Sequence, residues 1–219
     1  MILIRTRHDL ATEYTYVWSE SLIKIAEENN HKVVKIEGSE ANFKNFNKRI
    51  KKLGPKFIFF NGHGGNDCLY DNNKEKLVNL ESSDILKNTI TFARACDCLA
   101  KLGGVAVEKG CDAFVGYKKK FWIPRWHKHT CRPLKDLAAK PVMECSNLVV
   151  SYLLKGKTVK ESINKSHQKA DELISQLIYS KEPFASATIS ALIHNDSVLG
   201  FEGNSNAVIN EKKDLSAYL

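Results

Sequence analysis

Nothing in this sequence is long and apolar enough to cross a bilayer. The longest hydrophobic runs, Phe57-Ile58-Phe59-Phe60 and Leu148 to Leu154 interrupted by Ser151, fall far short of the roughly 20 residues a spanning helix needs. The first residues do not read as a secretory leader either. Met1-Ile2-Leu3-Ile4 runs at once into Arg5, Arg7 and His8, with no apolar core and no small-residue cleavage site. No membrane partner is expected, and a cytoplasmic location is. The cysteines, Cys68, Cys96, Cys98, Cys111, Cys131 and Cys145, include no CxxC pair. In a domain of this length without an export signal they do not make a disulfide framework, and most read as small buried hydrophobes. Internal repeats, low-complexity tracts and linkers are lacking too. There is no glycine-rich phosphate loop after the first strand and no acidic cluster suited to Mg²⁺, which argues against a nucleotide-binding or receiver-like domain.

What is present is a globular composition: 219 residues, 43% hydrophobic and 26% charged, with 33 Lys and Arg against 25 Asp and Glu. One domain over 1–219 with its own core fits that length. Strand-like and helix-like segments alternate. Met1 to Thr6, 33–36, 56–61, 89–95 and 113–117 read as strands. Helices are expected from Thr12 to Asn29-Asn30, from a Ser39 cap to Gly54-Pro55, from about Asp97 to Gly110, from Pro141 to Gly156, and from the capping box Thr158-Val-Lys-Glu161 onward. The tail from Ser186 to Glu202 reads as a hairpin turning at His194-Asn195-Asp196-Ser197. This order gives an α/β fold with a mainly parallel, doubly wound sheet between helix layers and a C-terminal hairpin. In such sheets, sites lie beyond the carboxyl ends of the strands.

Three strand ends carry reactive or ligating residues: Arg7-His8-Asp9 after the first, Asn61-Gly62-His63-Gly64-Gly65 after the third, and Cys96-Asp97-Cys98 after the fourth. Neighbouring parallel strands present such turns on one edge, so His63 and Cys96 can converge. An imidazole and a thiol are the minimum for covalent acyl transfer. The glycines beside His63 permit a tight turn with bare amide N–H groups, and a helix beginning after Cys96 would favour negative charge there.

An apolar strand ending in Gly62-His63-Gly64, followed by one ending in Ala95-Cys96-Asp97-Cys98, resembles the caspase-fold (clan CD) cysteine peptidases. That group takes in caspases, legumains, gingipains, separases and the CHAT proteins. The later stretch Phe114-Val115-Gly116-Tyr117 before Phe121-Trp122, then a helix, Leu154-Lys-Gly-Lys157 and another helix, is similar to the CHAT-like bacterial and archaeal members. The resemblance implies a caspase-like three-layer αβα sandwich and a cysteine endopeptidase with no cofactor. Cys96 would be the nucleophile, His63 the proton-transfer group, and the amides of Gly64 and Cys96 the oxyanion site. The Ala-Cys register favours Cys96 over Cys98, which stands where many relatives have Ser, Thr or Gly.

In caspases and legumains the turn after the first strand and the position two before the nucleophile line the specificity pocket. Here these are Arg7, with His8, and Arg94; Asp97, Tyr117 and Trp122 are further candidates for substrate contact. Two guanidiniums can clamp a carboxylate, so cleavage after an acidic residue is one expectation. A polar or basic preference is the other, should Asp9, Asp67 or Asp97 neutralise them.

Two features compete for attention. His127, His129 and Cys131 would share one side of an extended strand, yet no fourth ligand accompanies them and the segment reads as loop, so no metal is assigned. The net charge of +8 is mostly lysine scattered over helix faces, and nucleic acid is not the expected main partner. The exception is 118–132, where Lys118-Lys119-Lys120 is followed by Phe121, Trp122, Arg125 and Trp126. That basic, aromatic loop would serve a protein substrate, a regulatory protein partner or, on a catalytically silent version of the fold, a binding function of its own.

Overall fold

The computed structural model describes residues 1–209; residues 210–219, the end of the domain expected over 1–219, lie outside the described residues. The order is β1 (Ile2–Arg5), α1 (Leu10–Trp18), α2 (Glu20–Glu28), β2 (Val34–Glu37), α3 (Phe43–Leu53), β3 (Phe57–Asn61), β4 (Cys68–Tyr70), β5 (Lys76–Asn79), β6 (Ile90–Arg94), α4 (Leu102–Glu108), β7 (Ala113–Tyr117), α5 (Lys140–Leu154), α6 (Val159–Ile178), α7 (Ala185–Val198) and β8 (Leu199–Gly203). Six strands form one sheet in the order β2-β1-β3-β6-β7-β8, parallel except for β8. The chain leaves β1 for β2 on one side and returns to β3 on the other. The winding direction therefore reverses between β1 and β3, and their carboxyl ends open the crevice where such sheets place ligands.

Side-chain alternation along the buried strands sorts the core into two layers. Ile58 and Phe60 of β3 pack with Ile4, Phe46, Leu102 and Phe114, under α3 and α4. Phe57 and Phe59 face the other way, toward Leu3, Leu22, Phe92, Val149 and Leu153, under α2 and α5. A strand apolar on both faces belongs in the middle of a helix-covered parallel sheet. The caspase-like αβα sandwich is thus the observed architecture.

Several boundaries differ from the sequence pattern. The first helix breaks at Ser19 into α1 and α2, and its cap is Asp9, which accepts from the Thr12 amide. Helix α3 is capped by Asn42 rather than Ser39. The helix expected from Asp97 begins at Leu102, because Asp97 itself is left-handed (φ +58°). The hairpin β4–β5 escaped the sequence reading, its strands being only three and four residues long.

The C-terminal hairpin expected over 186–202 is not formed. That segment is helix α7 followed by β8, which returns antiparallel to β7 as an edge strand. The residues taken for a turn are tertiary anchors: Asn195 brackets Trp122, accepting from its N–H and donating to its C=O, and Asp196 bonds His167. The buried set Ala185, Thr188, Ala191, Leu192, Asn195 and Val198 has helical spacing.

The connection from β7 to α5 is held by Asp136, which is fully buried. Its carboxylate accepts from the Tyr14 hydroxyl at 2.5 Å, the Trp126 amide at 3.2 Å and the Ala138 amide at 3.0 Å. Removing it leaves buried donors unpaired. Asp136→Ala is expected to cost about 2–4 kcal/mol in denaturant unfolding, against about 1 kcal/mol for Tyr14→Phe.

Candidate active site

The turn after β1 is organised around Asp9. As the cap of α1 it receives the Thr12 amide and hydroxyl on Oδ1, both at 2.9 Å. The Thr12 hydroxyl in turn takes the backbone N–H groups of His8 and Asp9. With Oδ1 so occupied, Oδ2 meets Nε2 of His63 at 2.5 Å. A carboxylate only accepts, so Nε2 of His63 carries the proton and Asp9 fixes the tautomer. Burial works against the charge on Asp9, but the Thr12 and His63 hydrogen bonds outweigh it and hold the carboxyl well below the usual range.

His63 sits on a turn that only glycine permits. A Cβ on Gly64 would lie 2.7 Å from the Cys96 carbonyl oxygen, and one on Gly62 2.6 Å from the Thr6 hydroxyl. The in-register pairing of Asn61 with Arg94 brings the ends of β3 and β6 together. The hairpin pins the turn from the other side: Tyr70 donates to the His63 carbonyl and Gly65 to that of Cys68.

Cys96 is half-buried, whereas Cys98 is sealed, its thiol donating to the Ala95 and Ala93 carbonyls. Burial pushes Cys98 up to about 12. Cys96 is also raised, chiefly by burial and further by Asp97, with the Phe121 amide and Lys120 acting in the opposite direction. His63 and Cys96 line one cavity of about 70 Å³, together with Thr12, Gly62, Arg94, Ala95 and Phe121. Among the described residues, the backbone N–H groups of Gly64 and Cys96 have no acceptor.

The other sequence candidates fall in different places. Arg94 reaches this cavity, fully buried, with Nε on Ser146 and Nη2 on Asn147, both at the helix α5 side, and with Nη1 unpartnered among the described residues. Arg7 is exposed and ion-paired with Glu13 at 2.5 Å, so the carboxylate that neutralises it is none of Asp9, Asp67 or Asp97. His8 packs against His63, ring centroids 5.2 Å apart. The Asp97 amide donates to the Lys119 carbonyl, tying the thiol's turn to the basic loop. Tyr117 lies off the crevice, in the core beneath Phe121 with its hydroxyl bonded to Ser146. Trp122 is exposed, stacks on His194 at 3.9 Å, and borders a larger apolar groove of about 560 Å³ that shares Ala11, Phe121 and Ile123 with the cavity.

Asp9 is the residue whose role the sequence reading missed. Its signal was the Asp-x-x-Thr cap directly after a strand, but its target lies 54 residues away. His127 and His129 form a short 3-10 turn rather than an extended strand. Among the described residues, the donor set gathered tightly enough for a metal is instead His8, Asp9 and His63, all within 4.8 Å of one another.

No family model matches this chain, and no curated protein does. Among solved structures, the Arg specific cysteine proteinase gingipain R is similar, with a TM-score of 0.63 and 11% sequence identity over 95% of this chain. The match covers 47% of that proteinase, so the chain spans about half its neighbour's length. At such identity the likeness is one of fold: the architecture is that of the caspase-like cysteine proteinases. No helix among the described residues is long and apolar enough to cross a membrane.

The raised Cys96 thiol sets a pH dependence. Its alkylation by iodoacetamide should climb with pH through a midpoint above the ordinary cysteine value of about 8.5, and Asp97→Asn should lower that midpoint. Peptide mapping across a pH series reads both, with Cys98 unmodified in the native protein.

Proposed function

We propose that this protein is a cysteine endopeptidase acting on protein or peptide substrates, with Cys96 as nucleophile, His63 as proton-transfer group and Asp9 as the carboxylate that orients it. The observation that carries this reading is one cavity lined by both the thiol and the imidazole, on a fold shared with a cysteine proteinase. Because the thiol is raised, His63 takes its proton as Sγ attacks the substrate carbonyl carbon. The oxyanion then forms beside the bare amides of Gly64 and Cys96. The imidazolium, stabilised by ionised Asp9, protonates the leaving amine; the neutral ring next deprotonates the water that frees the acyl group.

Arg94 supports cleavage after an acidic residue. Burial, with no carboxylate partner among the described residues, pulls its guanidinium down to about 10, and a buried cation lacking a counter-ion is costly. A substrate carboxylate entering beside Cys96 would supply that counter-ion. The cavity's small volume also disfavours an arginine or aromatic side chain. This specificity is opposite in charge to that named for gingipain R, and Arg94 alone carries it, since Arg7 is committed to Glu13.

A peptide library should show cuts after Asp or Glu. Cys96→Ala should reduce turnover roughly 10⁴-fold or more, His63→Ala roughly 10²–10⁴-fold, and Arg94→Gln should lower kcat/KM for acidic sites about 10- to 100-fold. Cleavage that survives Cys96→Ala refutes the dyad, and cuts after Lys or Arg refute the acidic pocket. A folded wild type that cleaves nothing favours a binding module acting through residues 118–132.

A further inference from the structure

The side chain next to Asp9 is unexplained by the reaction. Among the described residues, both ring nitrogens of His8 are buried without a well-formed hydrogen bond, the Asn72 amide being the polar side chain beside them, although a buried imidazole ordinarily satisfies at least one. Its Nε2 lies 3.8 Å from Oδ2 of Asp9, the same oxygen that meets His63 at 2.5 Å. Two imidazoles and a carboxylate thus converge on one point. Two of the three, Asp9 and His63, are about 40% exposed, at 40% and 39%, which leaves a path from solvent.

We propose that His8, Asp9 and His63 form a binding site for a zinc ion, and that occupation of this site switches the dyad off. Two histidines and one carboxylate with an open fourth position make a common zinc-binding set. Bonds of about 2.0–2.2 Å in a tetrahedron hold neighbouring donors about 3.3 Å apart. The Asp9–His63 contact must therefore open by somewhat under 1 Å, the Asp9–His8 contact close by about half that, and the two imidazoles, whose ligand atoms lie within 4.8 Å, draw together by up to about 1.5 Å. The part-exposed side chains of His63 and Asp9 can make such a shift by rotating on a fixed backbone. Thr12 supplies the outer support a metal-bound carboxylate needs, holding Oδ1 through two hydrogen bonds and leaving Oδ2 to the ion. Water fills the fourth position. With Nε2 of His63 on zinc, its single proton moves to Nδ1; the ring then has no free lone pair to take the Cys96 proton and is no longer oriented by Asp9 alone, so proton transfer to and from Cys96 stops. The binding stands without the peptidase reading; the inhibition rests on it.

Calorimetric titration of the metal-free full chain with Zn²⁺ alone tests the site. One equivalent should bind, at least tenfold more weakly in His8→Asn, and with affinity unchanged in Cys96→Ala and in the double variant His129→Asn, Cys131→Ser. Absence of stoichiometric binding, equal binding by His8→Asn, or loss in the double variant would overturn it. Should His8→Asn fold poorly, Co²⁺ absorption of the wild type decides. Tetrahedral d–d bands without a thiolate charge-transfer band support the site, and an intense charge-transfer band refutes it. If metal-free enzyme cleaves peptides and stoichiometric Zn²⁺ leaves the rate unaltered, the inhibitory role fails. If zinc binds but metal-free enzyme never cleaves, it is the peptidase reading that fails.

Discussion

The pairing of β3 with β6 governs everything at the crevice. Five consecutive register pairs, from Phe57 with Ile90 to Asn61 with Arg94, lock two adjacent parallel strands side by side. The chain leaving each strand has nowhere to go but the same edge. Past the last pair the two backbones approach so closely that Gly64 has no room for a side chain against the Cys96 carbonyl. The imidazole and the thiol are neighbours because of backbone hydrogen bonding deep in the sheet, not because they attract one another. The reversal of winding between β1 and β3 then adds the turn of Asp9 to the same place.

Two arginines on the same sheet face show how differently a buried charge can be treated. Arg5 and Arg94 are both about 1% exposed. Arg5 is met by Glu20 and Glu37, with Tyr16 beneath its guanidinium, and is raised by them although burial opposes it. It is a closed structural network. Arg94 is given a hydroxyl, an amide oxygen and the ring of Phe59, but among the described residues no anion. Between them in register stands Asn61, buried with its own amide unpartnered. Unpaired polarity in this molecule gathers around the crevice, as expected where a ligand rather than the chain completes the hydrogen bonding.

The sheet was readable in the sequence because β3, β6 and β7 are short, mostly apolar runs with apolar residues on both faces. That same pattern made His63 and Cys96 visible, each being the first reactive side chain after a buried strand. Other parts were hidden for physical reasons. The role of Asp9 depends on which strand β1 adjoins, which no local pattern states. The fate of Arg94 depends on Ser146 and Asn147 arriving from α5, and Tyr117 looked like a pocket residue until Phe121 folded over it. Helix α7 was obscured because Asn195 and Asp196, ordinarily turn formers, spend their polarity on Trp122 and His167.

The Asp136 clasp has a mechanical consequence. Tyr14 stands on the first helix only five residues beyond Asp9, and its hydroxyl is fastened to the carboxylate that also secures Trp126. The basic, aromatic excursion and the helix that aims the imidazole's partner are therefore geared together. A protein pressing on that excursion would transmit torque to Asp9 without touching the crevice, and slack introduced at the clasp would be felt as misalignment of the ring.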